Sequence, residues 1–99
     1  MKKDKMNITS IKKGTLKKRS RFHIWQSRVF VLNSEPKLKY YKKGELREEI
    51  SINKETVVKL SGNGTFTLST SKKVFHLRET QNGESEMWVE FINRAISGK

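Results

Sequence analysis

The sequence predicts one mainly β domain: seven short antiparallel strands closing into a barrel or sandwich, followed by one C-terminal α-helix. Two observations predict it. Short runs rich in β-formers recur between residues 11 and 78, each bounded by turn residues, which is the spacing of antiparallel meanders. Beyond residue 82 the apolar residues change from a period of two to the period of a helix. A third observation, the placement of charge, concerns what the domain meets. Of a formal net charge of +12, residues 1–47 supply all: they hold 15 Lys/Arg against 3 Asp/Glu, whereas residues 48–99 hold 7 of each.

Residues 1–10 are polar and basic with little to pack, and they read as a flexible lead-in to a domain spanning 11–97. Strands are expected at 11–19, 27–32, 38–42, 48–52, 57–60, 65–69 and 73–78. The turns between them fall at Asn33-Ser34-Glu35-Pro36, Lys43-Gly44, Ser61-Gly62-Asn63-Gly64 and residues 69–72. In the last segment Trp88, Phe91, Ile92, Ala95 and Ile96 form an i, i+3, i+4, i+7, i+8 stripe. Glu84 and Glu86 precede it and Arg94 lies near its end, as the helix dipole favours. Asn82 is the expected N-cap and Gly98 the expected stop. This helix must bury its stripe against the strands, and Trp88 is its structural anchor.

Composition narrows the function classes. A chain of 99 residues is one domain, large enough to bury a modest core. It has no cysteine, which removes disulfides and thiolate chemistry and suits a reducing cytosolic compartment. No apolar run approaches the roughly 20 residues of a membrane span. The basic N-terminus lacks the apolar stretch of a secretory signal, so any membrane association is peripheral. There is no P-loop pattern, and nothing places a base beside a nucleophile, so the domain is expected to be non-catalytic. His23 lacks a partner at ligand spacing, so neither a metal nor another cofactor is expected. His76 falls off the phase of Phe75 and Leu77 and belongs to the surface. A one-sided basic field of this size attracts an anionic leaflet or a nucleic acid.

Strand phase locates a candidate pocket. Side chains two apart share a face. Lys18 shares one with Gly14 and Leu16, Arg28 with Phe30 and Leu32, and Tyr40 with Leu38. Lys18 and Arg28 therefore stand in core phase at the two ends of the 19–26 loop. An inward cation is costly unless it sits at an open rim and meets an anion. Two readings are open on phase alone: a phosphate site, or a pair whose stems pack while the heads stay in water. Phe22 and Ile24 are apolar at a loop tip, where they either fold back onto Trp25 or project into lipid. Trp25 itself reads as a packing anchor.

The run Gly14-Thr15-Leu16-Lys17-Lys18, a basic loop, Arg28-Val29-Phe30-Val31-Leu32, Leu38-Lys39-Tyr40-Tyr41-Lys42 and a terminal helix carrying Trp88 together resemble a pleckstrin homology (PH) domain. The ordered set carries the resemblance, over residues 11–96. It implies two nearly orthogonal antiparallel sheets in a partly open barrel, one end plugged by the helix, with the strand 1–2, 3–4 and 6–7 loops splayed at the other. In phosphoinositide-binding members a lysine ends strand one and a basic-x-Arg-x-aromatic run opens strand two. Lys18 and Arg28-x-Phe30 match. Gln26 takes the first basic position, where it can hydrogen-bond a phosphate but brings no charge. Tyr40 and Arg47 match a strand-three tyrosine and an arginine before strand four, and Arg19, Arg21 and His23 in the loop add donors. Lys18-Arg19 and the N-terminal placement resemble the targeting domain of the protein kinase B family.

The resemblance thus implies a phosphoinositide-binding, peripheral membrane-targeting signalling module on the cytoplasmic leaflet, acting as a monomer. Lys18, Arg19, Arg21, Gln26, Arg28, Tyr40 and Arg47 would hold the headgroup, and Phe22 and Ile24 would insert. The alternatives are a protein-interaction module with diffuse affinity for anionic membranes, and, less favoured, a single-stranded nucleic-acid binder stacking bases on Tyr40, Tyr41 and Phe22. No nucleic-acid motif is present, so no nucleic-acid partner is expected.

Overall fold

Seven strands and one helix form where the hydrophobic period placed them. The structure is a computed structural model that describes residues 8–98. Its elements are β1 (Ser10–Arg19), β2 (Trp25–Asn33), β3 (Lys37–Lys42), β4 (Glu45–Ser51), β5 (Val57–Gly62), β6 (Thr65–Ser69), β7 (Val74–Glu79) and α1 (Glu84–Ile96). Residues 1–7 of the expected lead-in lie outside the described residues. Ser10, its last residue, already belongs to β1. Beside it the Thr9 N–H donates to Ser34 Oγ and the Ser34 N–H to the Thr9 carbonyl, both at 2.9 Å.

β4 begins three residues before its expected start, and the turn explains why. Lys43 and Gly44 both take positive φ, 51° and 81°. A two-residue turn of that hand brings its flanking residues into register at once, so Lys42 pairs with Glu45 despite the weak β propensity of Glu45-Leu46-Arg47.

All strand pairings are antiparallel, in the order β4-β3-β2-β1-β7-β6-β5. β1 pairs with β2 along its length but with β7 only over Leu16–Lys18, so its C-terminal end joins the β1–β4 meander to the β5–β7 meander. The two expected sheets are thus one continuous ladder bent through β1. β4 and β5 are its edges, which leaves the barrel open between them.

The inward residues alternate as period two requires: Leu16, Phe30, Leu32, Leu38, Tyr40, Ile50, Phe66, Leu68, Phe75 and Leu77 are buried. The helix packs against β5, β6 and β7 and closes one end. Trp88 and Ile92 are fully buried. The indole lies over Gly14, where an added Cβ would come within 3.5 Å of it. The Lys12 ammonium sits 5.0 Å from the indole centroid and bridges to Glu84 at 3.4 Å.

The helix does not start on Asn82. Its N-cap is Gly83, in the left-handed region at φ 90° and with no side-chain cap. The orphan donors of the first turn are met instead from β7: Glu79 Oε1 accepts from the Ser85 N–H at 2.9 Å and from Ser85 Oγ at 2.8 Å. The turn at Gly83 carries Asn82 past the cap position and leaves that position to a carboxylate four residues earlier. Gly64 makes room for it, since a Cβ there would lie 2.6 Å from Glu79 Oε2. Gly98, at φ 78°, ends the helix as expected, its N–H donating to the Ala95 carbonyl.

The two Ser85 hydrogen bonds hold the Glu79 carboxyl below its ordinary value. A carboxylate depressed in the folded state adds stability above its unfolded pKa, and loses it as pH falls through the folded one. Glu79→Gln should therefore be less stable than wild type at pH 7, and the two should converge only as pH falls through the depressed folded-state pKa, below the ordinary carboxylate range. Urea midpoints across that range check this; a gap that stays constant with pH would remove the carboxylate cap.

Candidate functional site

Away from the helix, β1 and β2 are joined by residues 20–24, and Ser20 shapes this loop. Its Oγ accepts from the N–H groups of Phe22 (3.1 Å) and Ile24 (3.3 Å). The Ser20 N–H donates to the Ile24 carbonyl, and the His23 N–H to the Ser20 carbonyl, each at 2.9 Å. His23 takes a left-handed φ of 63°. So tight a loop cannot fold its tip inward: Phe22 is 73% exposed and Ile24 58%. The Arg21 guanidinium stacks on the Phe22 ring at 5.5 Å.

Strand register assembles the rest. Lys18 lies opposite Gln26, Leu16 opposite Arg28, Phe30 opposite Tyr40, and Tyr40 opposite Glu48. Directly paired residues share a face. Lys18, Gln26, Arg28, Tyr40 and Glu48 therefore line the inner face at the open end. Gln26 meets Arg28: its Oε1 accepts from Arg28 Nη2 at 3.2 Å, while Nη1 donates to the Ser27 carbonyl at 2.7 Å. The pair holds the guanidinium in place. The Lys18 ammonium stands 5.4 Å from the Tyr40 ring centroid.

Two residues the sequence reading missed complete the cluster. Tyr40 Oη donates to Glu48 Oε1 at 2.9 Å. Lys73, from the β6–β7 hairpin, reaches Glu48 Oε2 at 3.1 Å. Both were legible by the argument that found Lys18: Glu48 is two residues before buried Ile50, and Lys73 two before buried Phe75. Burial, helped by the Glu48 hydrogen bond and charge, pushes the Tyr40 hydroxyl up to about 12. Lys18 is lowered, first by burial and then by the Lys73 charge, with Glu48 opposing. Glu48 and Lys73 also wall a cleft of about 340 Å³ between β4 and the β6–β7 hairpin.

Other expected contributors lie elsewhere. Arg19 is opposite Trp25, one residue out of phase with Lys18, so it points to the outer face. There it stands near His76, whose pKa is lowered by burial and then by the charges of Arg19 and His23. Arg78 stacks on Trp25 on that same face at 5.8 Å. A strand alternates, so Lys18 and Arg19 cannot serve one pocket. Arg47 is exposed at a register shift, where Tyr40 pairs with Glu48 and Tyr41 with Leu46, and its charge reaches Tyr40. Among the described residues no group of His, Cys, Asp or Glu forms a metal site, and no helix is long and apolar enough to cross a membrane.

A family model for the PH domain matches residues 3–98. The chain is a PH domain. The fold is shared with the C-terminal PH domain of pleckstrin solved in complex with D-myo-Ins(1,2,3,5,6)P5, at 23% identity, 92% of this chain, 97% of that one and a TM-score of 0.80. The PH domain of human oxysterol binding protein-related protein 11 matches at 26% identity, with 85% and 78% of the two chains covered and a TM-score of 0.72. A DH/PH fragment of PDZRHOGEF, solved with human RhoA, is 15% identical, with 93% and 30% covered and a TM-score of 0.80. No curated protein sequence matches the chain. A PH domain is generally a non-catalytic module.

Proposed function

We propose that this PH domain binds phosphoinositide headgroups and thereby docks peripherally on an anionic leaflet. One observation carries the reading: Lys18 lies over the Tyr40 ring within reach of the charges of Arg28 and Lys73, so three cations from three strands or their ends meet at the open end of the barrel, beside a loop with two exposed apolar residues. Three cations gather there against the single carboxylate of Glu48, and the surplus positive charge is costly to hold together without a further anion. A phosphorylated headgroup supplies it, with charge-assisted hydrogen bonds of about 1.5–3 kcal/mol each. The pleckstrin domain of the same fold, solved with an inositol pentakisphosphate, lends support by analogy. The basic half adds roughly 1 kcal/mol per residue near an anionic leaflet. Arg19 and Arg21 belong to this field rather than to the pocket, and Phe22 and Ile24 enter the acyl boundary. Cytoplasmic membranes are the expected location.

The test compares vesicles carrying single phosphoinositide isomers at two salt concentrations. Affinity should fall with salt, because the field is screened. Preference for one isomer should persist at about 0.3 M, roughly twice physiological ionic strength, because short contacts are screened less. Competition by single-stranded RNA equal to the best headgroup would replace this reading with a nucleic-acid one. The loop has its own check. Phe22→Ser with Ile24→Ser should leave soluble-headgroup affinity unchanged yet raise the vesicle dissociation rate several-fold, since apolar insertion acts only when a bilayer is present. Equal dissociation rates would confine these residues to water.

A further inference from the structure

The cationic cluster already holds an anion, and it is part of the chain. Glu48 Oε1 accepts from Tyr40 Oη at 2.9 Å, and the Lys73 ammonium bridges both carboxylate oxygens, at 3.1 Å from Oε2 and 3.3 Å from Oε1. Lys18 lies against the ring of the same tyrosine, and its ammonium feels the Glu48 charge. Among the ion pairs of the described residues, this one alone ties β4 to the β6–β7 hairpin across the mouth of the barrel. Its partners are the groups a phosphate at the open end would need. The neighbouring Glu49 points the other way and pairs with Lys37 and Lys39, as surface acids on strands do.

We infer that Glu48 is a resident competitor for the phosphate subsite formed by Tyr40 and Lys73, and that it sets the affinity threshold of the pocket. The inference rests on the headgroup reading above. In the free domain the carboxylate neutralises Lys73 and occupies the Tyr40 hydroxyl. A phosphate of an inositol polyphosphate must displace it, and then carries the repulsion of a carboxylate left nearby. Lys18 and Arg28 remain free of ion pairs among the described residues, so they receive a first phosphate without competition. The second must be strong enough to open the Glu48–Lys73 pair. A weakly charged ligand that offers one phosphate does not pass this threshold, so Glu48 selects for headgroups with neighbouring phosphates.

The test is calorimetric titration of the soluble domain with myo-inositol 1,3,4,5-tetrakisphosphate. Glu48→Gln keeps an acceptor for Tyr40 and removes the charge. It should bind at least tenfold more tightly than wild type. Glu86→Gln, which removes the same charge from the helix surface, should change affinity less than twofold. The Glu48→Gln gain should shrink to less than threefold when Lys73→Ala is added, because no Glu48–Lys73 pair is then left to open. Wild-type binding that Glu48→Gln leaves unchanged overturns the inference while the pocket stands. An equal gain in Glu86→Gln, or a full gain that survives loss of Lys73, also overturns it, because the effect is then diffuse charge. No binding by wild type or Glu48→Gln overturns both the inference and the headgroup reading.

Discussion

Trp88→Ala is expected to cost about 3–5 kcal/mol, the range for removing a large, fully buried aromatic. The indole is 0% exposed and has Gly14 beneath it and the Lys12 ammonium over its face. No smaller residue fills the space between helix and sheet, because the sheet contributes a glycine there. The loss also frees Lys12 and its bridge to Glu84 from their packing. The indole N–H finds no acceptor among the described residues, so no hydrogen bond offsets its burial. A domain of this size has about 5–15 kcal/mol in all, so the variant should lose a large share of its stability. Urea unfolding measures the change; a loss under about 1 kcal/mol would mean that the helix does not depend on its stripe.

Lys18→Ala with Arg28→Ala should weaken binding of a soluble inositol polyphosphate by about a hundredfold, since two charge-assisted contacts together contribute at least ~3 kcal/mol. The fold should survive. Both heads lie at the open rim, and the stems leave Leu16 and Phe30 in place beneath them. Calorimetry gives the affinity, and the urea midpoint shows that the variant is folded. A folded double variant with unchanged affinity rejects the pocket and leaves only the basic field.

The sequence carried the pocket unevenly. Lys18, Arg28 and Tyr40 stand in the phase of buried neighbours, and period two alone puts them on one face. Glu48 and Lys73 carry the same signal, two residues from Ile50 and Phe75. Their meeting nevertheless depends on β4 and the β6–β7 hairpin closing over one mouth, which no local pattern encodes. Arg19 reads with Arg21 and His23 as a donor of the loop, and alternation along β1 sends it to the face opposite Lys18. Gln26 lies opposite Lys18, yet its amide oxygen serves Arg28. The N-cap failed for a related reason: Glu79 reaches the helix start from a strand, so a search of the preceding residues finds Asn82 instead.

Local chemistry determined the strand count, the helix with its buried stripe, the turn at Lys43-Gly44 and the one-sided charge. Each follows from side-chain period, backbone preference or composition, which act over a few residues. Only the tertiary structure decided that Glu48 sits among the pocket cations, that Gln26 holds Arg28, and that Phe22 and Ile24 stay outside. Those outcomes depend on register between strands distant in sequence and on the shape of one closed loop. Register is set by the whole core at once, since a slip of one residue would turn every inward side chain out to water.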